Sequence, residues 1–263
     1  MKKLLATLSF LLLLAPAVAS ADLSTGLVGY WPMDTRDFFS ATTIVDRSGN
    51  SNTGTLVNGP TKVVGKIGQA LNFNGTSQYV ALPSNQPFNN DTGNSTETAW
   101  FKTTGTGVIV SDNNTPPGGT PNGYDPLLYI ETNGVLHAGG YINSFPNLVS
   151  SSALNNGTWH FAALTHNGST QSLYVDGTFV SSVSGTVSGV TGTNYWVIGT
   201  GYTGNGWPNS NGLWFYFKGA IDDVRIYNRA LSASEVQAIY RQAVGNHQGS
   251  WESTIISFFE GLL

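Results

Sequence analysis

The sequence predicts an all-β fold, a sandwich of two antiparallel sheets with a short helical extension at the C-terminus. Its 263 residues include 32 glycines and only 10% charged residues, a composition typical of many short strands joined by tight turns. Strand-like segments recur without helical periodicity between them, which argues against βαβ units. Aromatic residues, at 12%, supply the bulk that a core between two sheets needs.

Strand-like segments follow one another from residue 26 to residue 227. Pro32 keeps the first of them away from the centre of a sheet, and alternation over residues 96–103 places Trp100 in the interior. The segments are 26–31, 70–74, 79–82, 96–103, 127–141, 158–166, 173–180, 195–199 and 218–227.

Two dipeptides in this series predict hairpins. Asn133-Gly134 and Asp176-Gly177 each separate two strand-like segments, and both dipeptides tolerate the positive φ angles of tight hairpin turns. We therefore expect the strands on either side of each dipeptide to pair.

Helical signals come only after residue 230. Ser232 and Glu235 form a capping-box pattern ahead of residues 233–241, and Leu231 is placed as a hydrophobic staple. After a linker, residues 250–263 place apolar side chains at helical spacing, which predicts packing on the domain or docking onto a cell-envelope protein. The predicted organisation is a sandwich over 22–240, followed by a linker and an amphipathic helix over 241–263.

The first 21 residues have the pattern of a signal peptide. Lys2 and Lys3 precede an apolar stretch over residues 4–17, and residues 19–21 (ASA) match a cleavage site. We expect cleavage near Ala21, no membrane span in the mature chain, and a location outside the cell, at its surface or in the periplasm. A retained N-terminal anchor is the alternative.

Charge and cysteine content narrow the function classes. The formal net charge of −4, without a basic block, makes nucleic acid an unexpected partner. The absence of cysteine excludes disulfides, thiolate metal sites and cysteine nucleophiles.

Seven segments appear in an order shared with a known family. They are GLVGYWPMD (26–34), DRSGNSNTG (46–54), GQALNFNGTSQYV (68–80), AWFK (99–102), GTWHFAAL (157–164), LYVDG (173–177) and GAIDDVRIYNRALSASEV (219–236). Together, over residues 26–240, they resemble the laminin-G-like jelly roll of the concanavalin A-like lectin/glucanase superfamily. The resemblance implies a jelly-roll sandwich with one concave sheet and with the first and last strands close in space.

Oxygen-bearing side chains predict a structural Ca²⁺ ion. Asp46 and Asn50 lie in a turn-rich loop whose oxygens suit this cation. Related glucanases place calcium against the Asp of a D-x-V-R-x-Y strand, so the resemblance implies Asp222, with the chain near Asp34 completing the shell.

A purely structural role for these acids is the alternative to calcium. Asp34 and Asp46 then cap turns by accepting backbone N–H groups, and Asp223 pairs with Arg225 or Arg229.

Aromatic residues in loops predict a carbohydrate site, because sugar rings stack on aromatic faces. Tyr124 and Trp207 lie in segments rich in proline, glycine and asparagine, where a core strand is not expected. The alternative is that such rings only fill the edges of the sandwich. The candidate ligand residues are Tyr124, His137, Tyr141, Tyr202, Trp207 and Trp214, with Phe145 beside them.

Catalysis has less support. The paired carboxylates of sandwich glucanases, in E-x-D-x-(x)-E spacing, do not occur. His137 and Tyr141, on one face of a strand, with His166 or Gln171 nearby, are the residues that would suit a polysaccharide lyase. We expect an exported, non-catalytic module that binds a polysaccharide or glycan on the concave face or rim loops. An envelope scaffold that makes protein contacts and a divergent polysaccharide-cleaving enzyme are the alternatives.

Overall fold

The computed structural model describes residues 22–38, 40–84, 93–204 and 206–245. The predicted signal peptide and the predicted helix over 250–263 lie outside these residues. The described strands are β1 (Leu27–Trp31), β2 (Thr43–Ile44), β3 (Gly54–Val57), β4 (Thr61–Val64), β5 (Gln69–Asn74), β6 (Tyr79–Ala81), β7 (Asn94–Lys102), β8 (Gly107–Asn113), β9 (Tyr124–Ile130), β10 (Val135–Ala138), β11 (Leu148–Ala153), β12 (Trp159–Asn167), β13 (Thr170–Val175), β14 (Thr178–Ser184), β15 (Tyr195–Ile198) and β16 (Lys218–Tyr227). A short 3-10 turn spans Thr35–Asp37, and helix α1 spans Ala233–Gly245.

The strands form two antiparallel sheets, which confirms the predicted fold class. Sheet A has the order β14-β13-β12-β7-β16-β5-β4, and β1 also pairs with β16. Sheet B has the order β11-β10-β9-β8-β15-β6-β3-β2. Strand β5 pairs with the first half of β16, whereas β1 pairs with its second half, from Val224 to Tyr227. The first and last strands therefore lie side by side, as the resemblance implied.

The local turn chemistry produced both predicted hairpins. Strands β9 and β10 pair around Asn133-Gly134, and β13 and β14 pair around Asp176-Gly177. Asp176 and Gly177 have φ angles of 49° and 74°, the left-handed conformation that this turn requires. The turn after β5 acts differently, because β5 belongs to sheet A and β6 to sheet B, so it carries the chain across the sandwich.

The outer face of sheet A is covered by helix α1. Trp100 of β7 is buried, as predicted, but it lies on this outer face, 5.3 Å from the ring of Phe161 and stacked 5.4 Å from Tyr240 of the helix. Its neighbours Ala99 and Phe101 point into the core between the sheets. Strand β7 is thus buried on both faces, since a helix covers one and sheet B the other.

The predicted capping box starts this helix. The Ser232 N–H donates to Glu235 Oε2 at 2.8 Å, and the Glu235 N–H donates back to Ser232 Oγ at 3.3 Å. The helix continues to Gly245, beyond the predicted end at residue 241, because Ala243 still packs against the sheet. No helix in the described part of the chain is both long and apolar enough to cross a membrane.

Candidate functional site

Connections at one end of the sandwich enclose a cavity of about 340 Å³. They join β8 to β9, β10 to β11, β14 to β15 and β15 to β16. We call this cavity the rim pocket. Its walls carry four aromatic side chains, and its polar side chains are Asn122, Asp125, Ser188 and Thr191.

Four rings form the walls of the rim pocket: Tyr124, Tyr141, Phe145 and Trp207. The ring of Phe145 lies 5.4 Å from that of Tyr141 and 5.2 Å from that of Trp207, in edge-to-face arrangements. Phe145 is 38% exposed, whereas Trp207 is 4% exposed. Phe145 therefore offers a ring to a ligand, and Trp207 is the wall behind it.

Two buried rings pack against Trp207 on the side away from the rim pocket. His137 and Tyr129 stack at 4.8 Å, and Trp207 packs edge-on against both rings. The Tyr129 hydroxyl donates to the carbonyl of Pro208, and His137 Nδ1 lies 2.8 Å from Glu131 Oε1. His137, at 1% exposure, supports the pocket wall from the interior.

Tyr124 is supported in a similar way. Its ring lies 4.9 Å from Tyr202, which in turn packs 5.6 Å from Trp214. The indole N–H of Trp214 donates to the carbonyl of Gly119 at 2.7 Å. Gly204, at φ 44°, lies against the Tyr124 hydroxyl so closely that a Cβ there would overlap it.

The six candidate ligand residues thus separate into two groups. Tyr124, Tyr141 and Trp207 line the rim pocket, together with Phe145. The remaining three, His137, Tyr202 and Trp214, stand behind these rings.

A second, smaller cavity lies deeper, between the two sheets. Its volume is about 40 Å³, and we call it the inner chamber. Glu97 of β7 and His166 of β12 face it from sheet A, and Asp112 and Asp125 face it from sheet B. Asp125 and Gly189 line both cavities, so the inner chamber adjoins the floor of the rim pocket.

Burial dominates the electrostatics of the inner chamber. It raises the pKa of Glu97 to about 8 and that of Asp125 to about 7, although the Tyr141 N–H donates to Asp125 Oδ1 and opposes the second shift. Burial also lowers the pKa of His166 to about 4, so this imidazole is neutral near pH 7. Neither carboxylate oxygen of Glu97 has a hydrogen bond of normal geometry, and the nearby Ser95 side chain opposes the rise in the pKa without cancelling it.

The inner chamber is not among the sites that the sequence predicted. Glu97 lies on the same face of β7 as the core residues Ala99 and Phe101, and Asp125 lies on the same face of β9 as Leu127. Both acids therefore occupy positions that face the space between the sheets. An acidic residue at an inward-facing position of a predicted strand is unusual, and this feature of the sequence could have indicated a buried polar site.

The predicted metal ligands do not form one group. Asp46 Oδ1 accepts the N–H groups of Tyr30 and Ser48, and Oδ2 accepts the Ser48 hydroxyl and the Asn52 N–H. Asn50 points its amide at the carbonyl of Leu27. These contacts agree with the turn-capping alternative for Asp46, because its oxygens already accept four donors.

Asp222 of β16 and Asp34 lie elsewhere, against the loop from residue 65 to 69. Asp222 Oδ2 accepts the N–H groups of Lys66 and Ile67, and Asp34 Oδ1 accepts that of Gln69. Asp222 Oδ1 is buried without a partner, and burial raises the pKa of this carboxyl to about 8. An orphaned carboxylate oxygen suits a cation, so Asp222 fits the predicted role.

The neighbouring acid has a partner of its own. Asp223, at φ 46°, interrupts the alternation of β16 and forms an ion pair with Arg225 at 2.8 Å. In the described residues, no three Asp, Glu or His side chains cluster as a metal site. A calcium shell at Asp222 would therefore draw its other oxygens from backbone carbonyls.

A family model described as the concanavalin A-like lectin/glucanases superfamily, of the laminin-G type, matches residues 74–237. The chain belongs to this superfamily. The match confirms the resemblance found in the sequence. No curated protein matches the chain.

Solved structures with this lectin/glucanase-like fold share little sequence with the chain. The binding domain of Paraclostridial Mosquitocidal Protein 1 is 18% identical, with a TM-score of 0.58 over 82% of this chain and 52% of that one. Domain 4 of an extracellular GH43 arabinanase from Geobacillus stearothermophilus, in complex with arabinotriose, is 19% identical, with a TM-score of 0.53 over 80% and 96%. A Trypanosoma rangeli sialidase is 20% identical, with a TM-score of 0.58 over 86% and 34%. The chain thus spans about half of the first of these proteins and about a third of the sialidase.

Proposed function

We propose that this protein is a non-catalytic carbohydrate-binding module whose site is the rim pocket. The observation that carries the proposal is the set of four rings around a cavity of about 340 Å³, a volume in the range of small-molecule sites. Tyr141 and Phe145 offer ring faces for stacking on sugar. Asn122, Ser188 and Thr191 add side chains that can exchange hydrogen bonds with sugar hydroxyls.

The solved relatives support this choice. One is a binding domain, and another was crystallised with arabinotriose. Enzymes occur among them too, so the layout of the acids matters. A glycosidase needs two carboxyl groups on either side of the scissile bond, and of the acids described here only Asp125 borders the rim pocket. The inner chamber, at about 40 Å³, is too small for a glycosidic bond and its two rings.

The proposal has three further parts: export, a structural calcium ion, and docking of the C-terminal segment. Export is proposed from the signal-peptide pattern of residues 1–21. A structural calcium ion is proposed at Asp222, supported by its unpartnered Oδ1. Docking of the C-terminal segment onto an envelope protein stays a prediction from the sequence.

Phe145→Ala is expected to weaken glycan binding roughly tenfold or more, because loss of a ring that anchors a ligand costs about 2 kcal/mol. A glycan array that includes arabino-oligosaccharides identifies the ligand, and calorimetry with the best binder measures the loss. Tyr141→Ala is expected to act in the same direction.

Phe179→Ala is the matched control for Phe145→Ala. Phe179 is also an exposed ring, at 52%, but it lies on β14 outside the rim pocket. Equal affinities of the Phe145→Ala protein and the unmodified protein, with an unchanged melting temperature, would contradict the site.

A further inference from the structure

The inner chamber is lined by acidic side chains. Three carboxyl groups and one imidazole line it, and no lysine or arginine of the described chain lines either cavity. The segment from residue 85 to 92 contains no lysine or arginine either. Asp112 and Asp125 lie directly opposite each other on β8 and β9, where like charges repel.

Glu97 is the residue that most strongly indicates a ligand group in the inner chamber. Its side chain is 1% exposed and lines the chamber, and neither carboxylate oxygen has a hydrogen bond of normal geometry. The Ser95 side chain beside it is a weakly placed donor that lowers the pKa of Glu97 without cancelling the effect of burial. The nearest basic atom is His166 Nε2, at 3.9 Å, beyond hydrogen-bonding distance. Buried polar groups are normally paired, and a ligand that donates hydrogen bonds would supply the missing partner.

We propose that the sugar bound in the rim pocket is an amino sugar whose ammonium group sits against Asp125 and Glu97. This inference rests on the proposed function and names the class of its ligand. An ammonium group brings three donors and the positive charge that the chamber lacks.

The sizes of the two cavities suit a sugar ring in the rim pocket and its ammonium group at the inner chamber. The rim pocket has room for a sugar ring, and the ring's amino substituent can reach Asp125, which both cavities share. The inner chamber holds one ammonium group or a few waters, because each water needs about 10–15 Å³ of such space. The faces of Tyr141 and Phe145 are a further favourable surface for a cation.

A metal ion fits the chamber less well than an ammonium group does. Calcium requires six to eight oxygen ligands, and the acidic and histidine side chains that line the chamber do not come close enough together, among the described residues, to form a metal site. An ammonium group needs only acceptors on one side, since its sugar occupies the other.

Proton release gives the proposal a second signature. Among the described residues, the titratable groups that face the chamber are Glu97 on β7, Asp112 on β8, Asp125 on β9 and His166 on β12. Burial holds the pKa values of Glu97 and Asp125 near 8 and 7. An incoming positive charge lowers both, so binding releases protons, and affinity rises with pH until the amine itself loses its charge.

The test compares two glucosamine oligosaccharides of equal length, one fully deacetylated and one fully N-acetylated, by calorimetry near neutral pH. The unmodified protein is expected to bind the deacetylated form at least about tenfold tighter, as befits a buried charge pair. Glu97→Gln and Asp125→Asn keep the side-chain volume and are expected to abolish this preference.

Asp176→Asn is the control, because it removes a carboxylate in the turn after β13 that contacts Phe161 of β12, roughly 17 Å from His166 at about 3.3 Å per residue. It is expected to leave the preference intact. An unchanged or higher melting temperature of Glu97→Gln shows that the protein still folds.

Three outcomes would overturn the inference: equal affinity for both oligosaccharides, a preference that survives in Glu97→Gln and Asp125→Asn, or binding of oligolysine in place of the amino sugar. Tight binding of neutral glycans that Phe145→Ala weakens, without any preference for the amine, overturns the inference and leaves the proposed function standing. Failure to bind any glycan overturns both.

Discussion

The ligand-free protein is expected to become less stable as the pH rises from about 6.5 to about 8, and Glu97→Gln is expected to flatten this fall. Burial raises the pKa of Glu97 from 4.5 to about 8, so between these values the folded state holds a proton that the unfolded state has lost. Stability then falls with rising pH, by about 1.4 kcal/mol per pH unit for one such proton. Glu97 alone accounts for about 2 kcal/mol over this interval.

His166 acts in the opposite direction, but at lower pH. Its pKa falls from 6.5 to about 4 on folding, so it weakens the fold as the pH drops below about 6.5. Above that pH His166 is neutral in both states, so of the groups that line the inner chamber it no longer contributes to the slope. Asp125 adds to the fall only up to about pH 7, where its own pKa lies.

Urea unfolding at a series of pH values, in chelator, measures this effect. At about pH 8, Glu97→Gln is expected to be more stable than the unmodified protein by about 2 kcal/mol, because the cost of a buried charge exceeds that of a buried amide. Asp222 titrates in the same direction in both proteins, so some slope remains. Asp176→Asn, a more exposed acid, is expected to leave the slope unchanged. Parallel pH profiles for the unmodified protein and Glu97→Gln would contradict the assignment.

Local chemistry explains why so much of the fold is predictable. The dipeptide Asp176-Gly177 determines a hairpin through its own φ angles. Ser232 and Glu235 determine the start of a helix through hydrogen bonds between residues only three positions apart. Signals of this kind need no partner from elsewhere in the chain. The order of family segments then supplies the pairing of β1 with β16, which no local signal contains.

The features that the sequence does not predict depend on which strand faces meet when the two sheets pack together. Alternation places Trp100 in the interior, but it does not distinguish the space between the sheets from the space beneath helix α1. The inner chamber has the same origin, since Glu97 and Asp125 come from different sheets and meet only when the sandwich closes. The loop rings were easier to find, because glycine- and proline-rich surroundings mark Tyr124 and Trp207 as residues outside core strands.

Asp46→Ala is expected to destabilise the protein by about 4 kcal/mol, equally with calcium and with chelator. Asp46 accepts four hydrogen bonds at 2.7–2.9 Å, which tie β1 to the loop before β3. Each such bond contributes about 1 kcal/mol, and its loss leaves backbone donors without a partner. No metal enters this account, so the metal content of the buffer should not change the loss.

Asp222→Asn is expected to show the opposite dependence. If calcium binds at Asp222 Oδ1, saturation at one hundred times the dissociation constant stabilises the unmodified protein by about 2.7 kcal/mol. The asparagine variant is expected to lose this increment, while in chelator near pH 8 it equals or exceeds the unmodified protein, because a buried carboxyl that is partly charged at that pH is replaced by a neutral amide. Urea unfolding of both variants, with calcium and with chelator, separates the two roles. A calcium response that survives in Asp222→Asn and disappears in Asp46→Ala would move the ion to the Asp46 loop, and no response in any protein would remove it from the proposal.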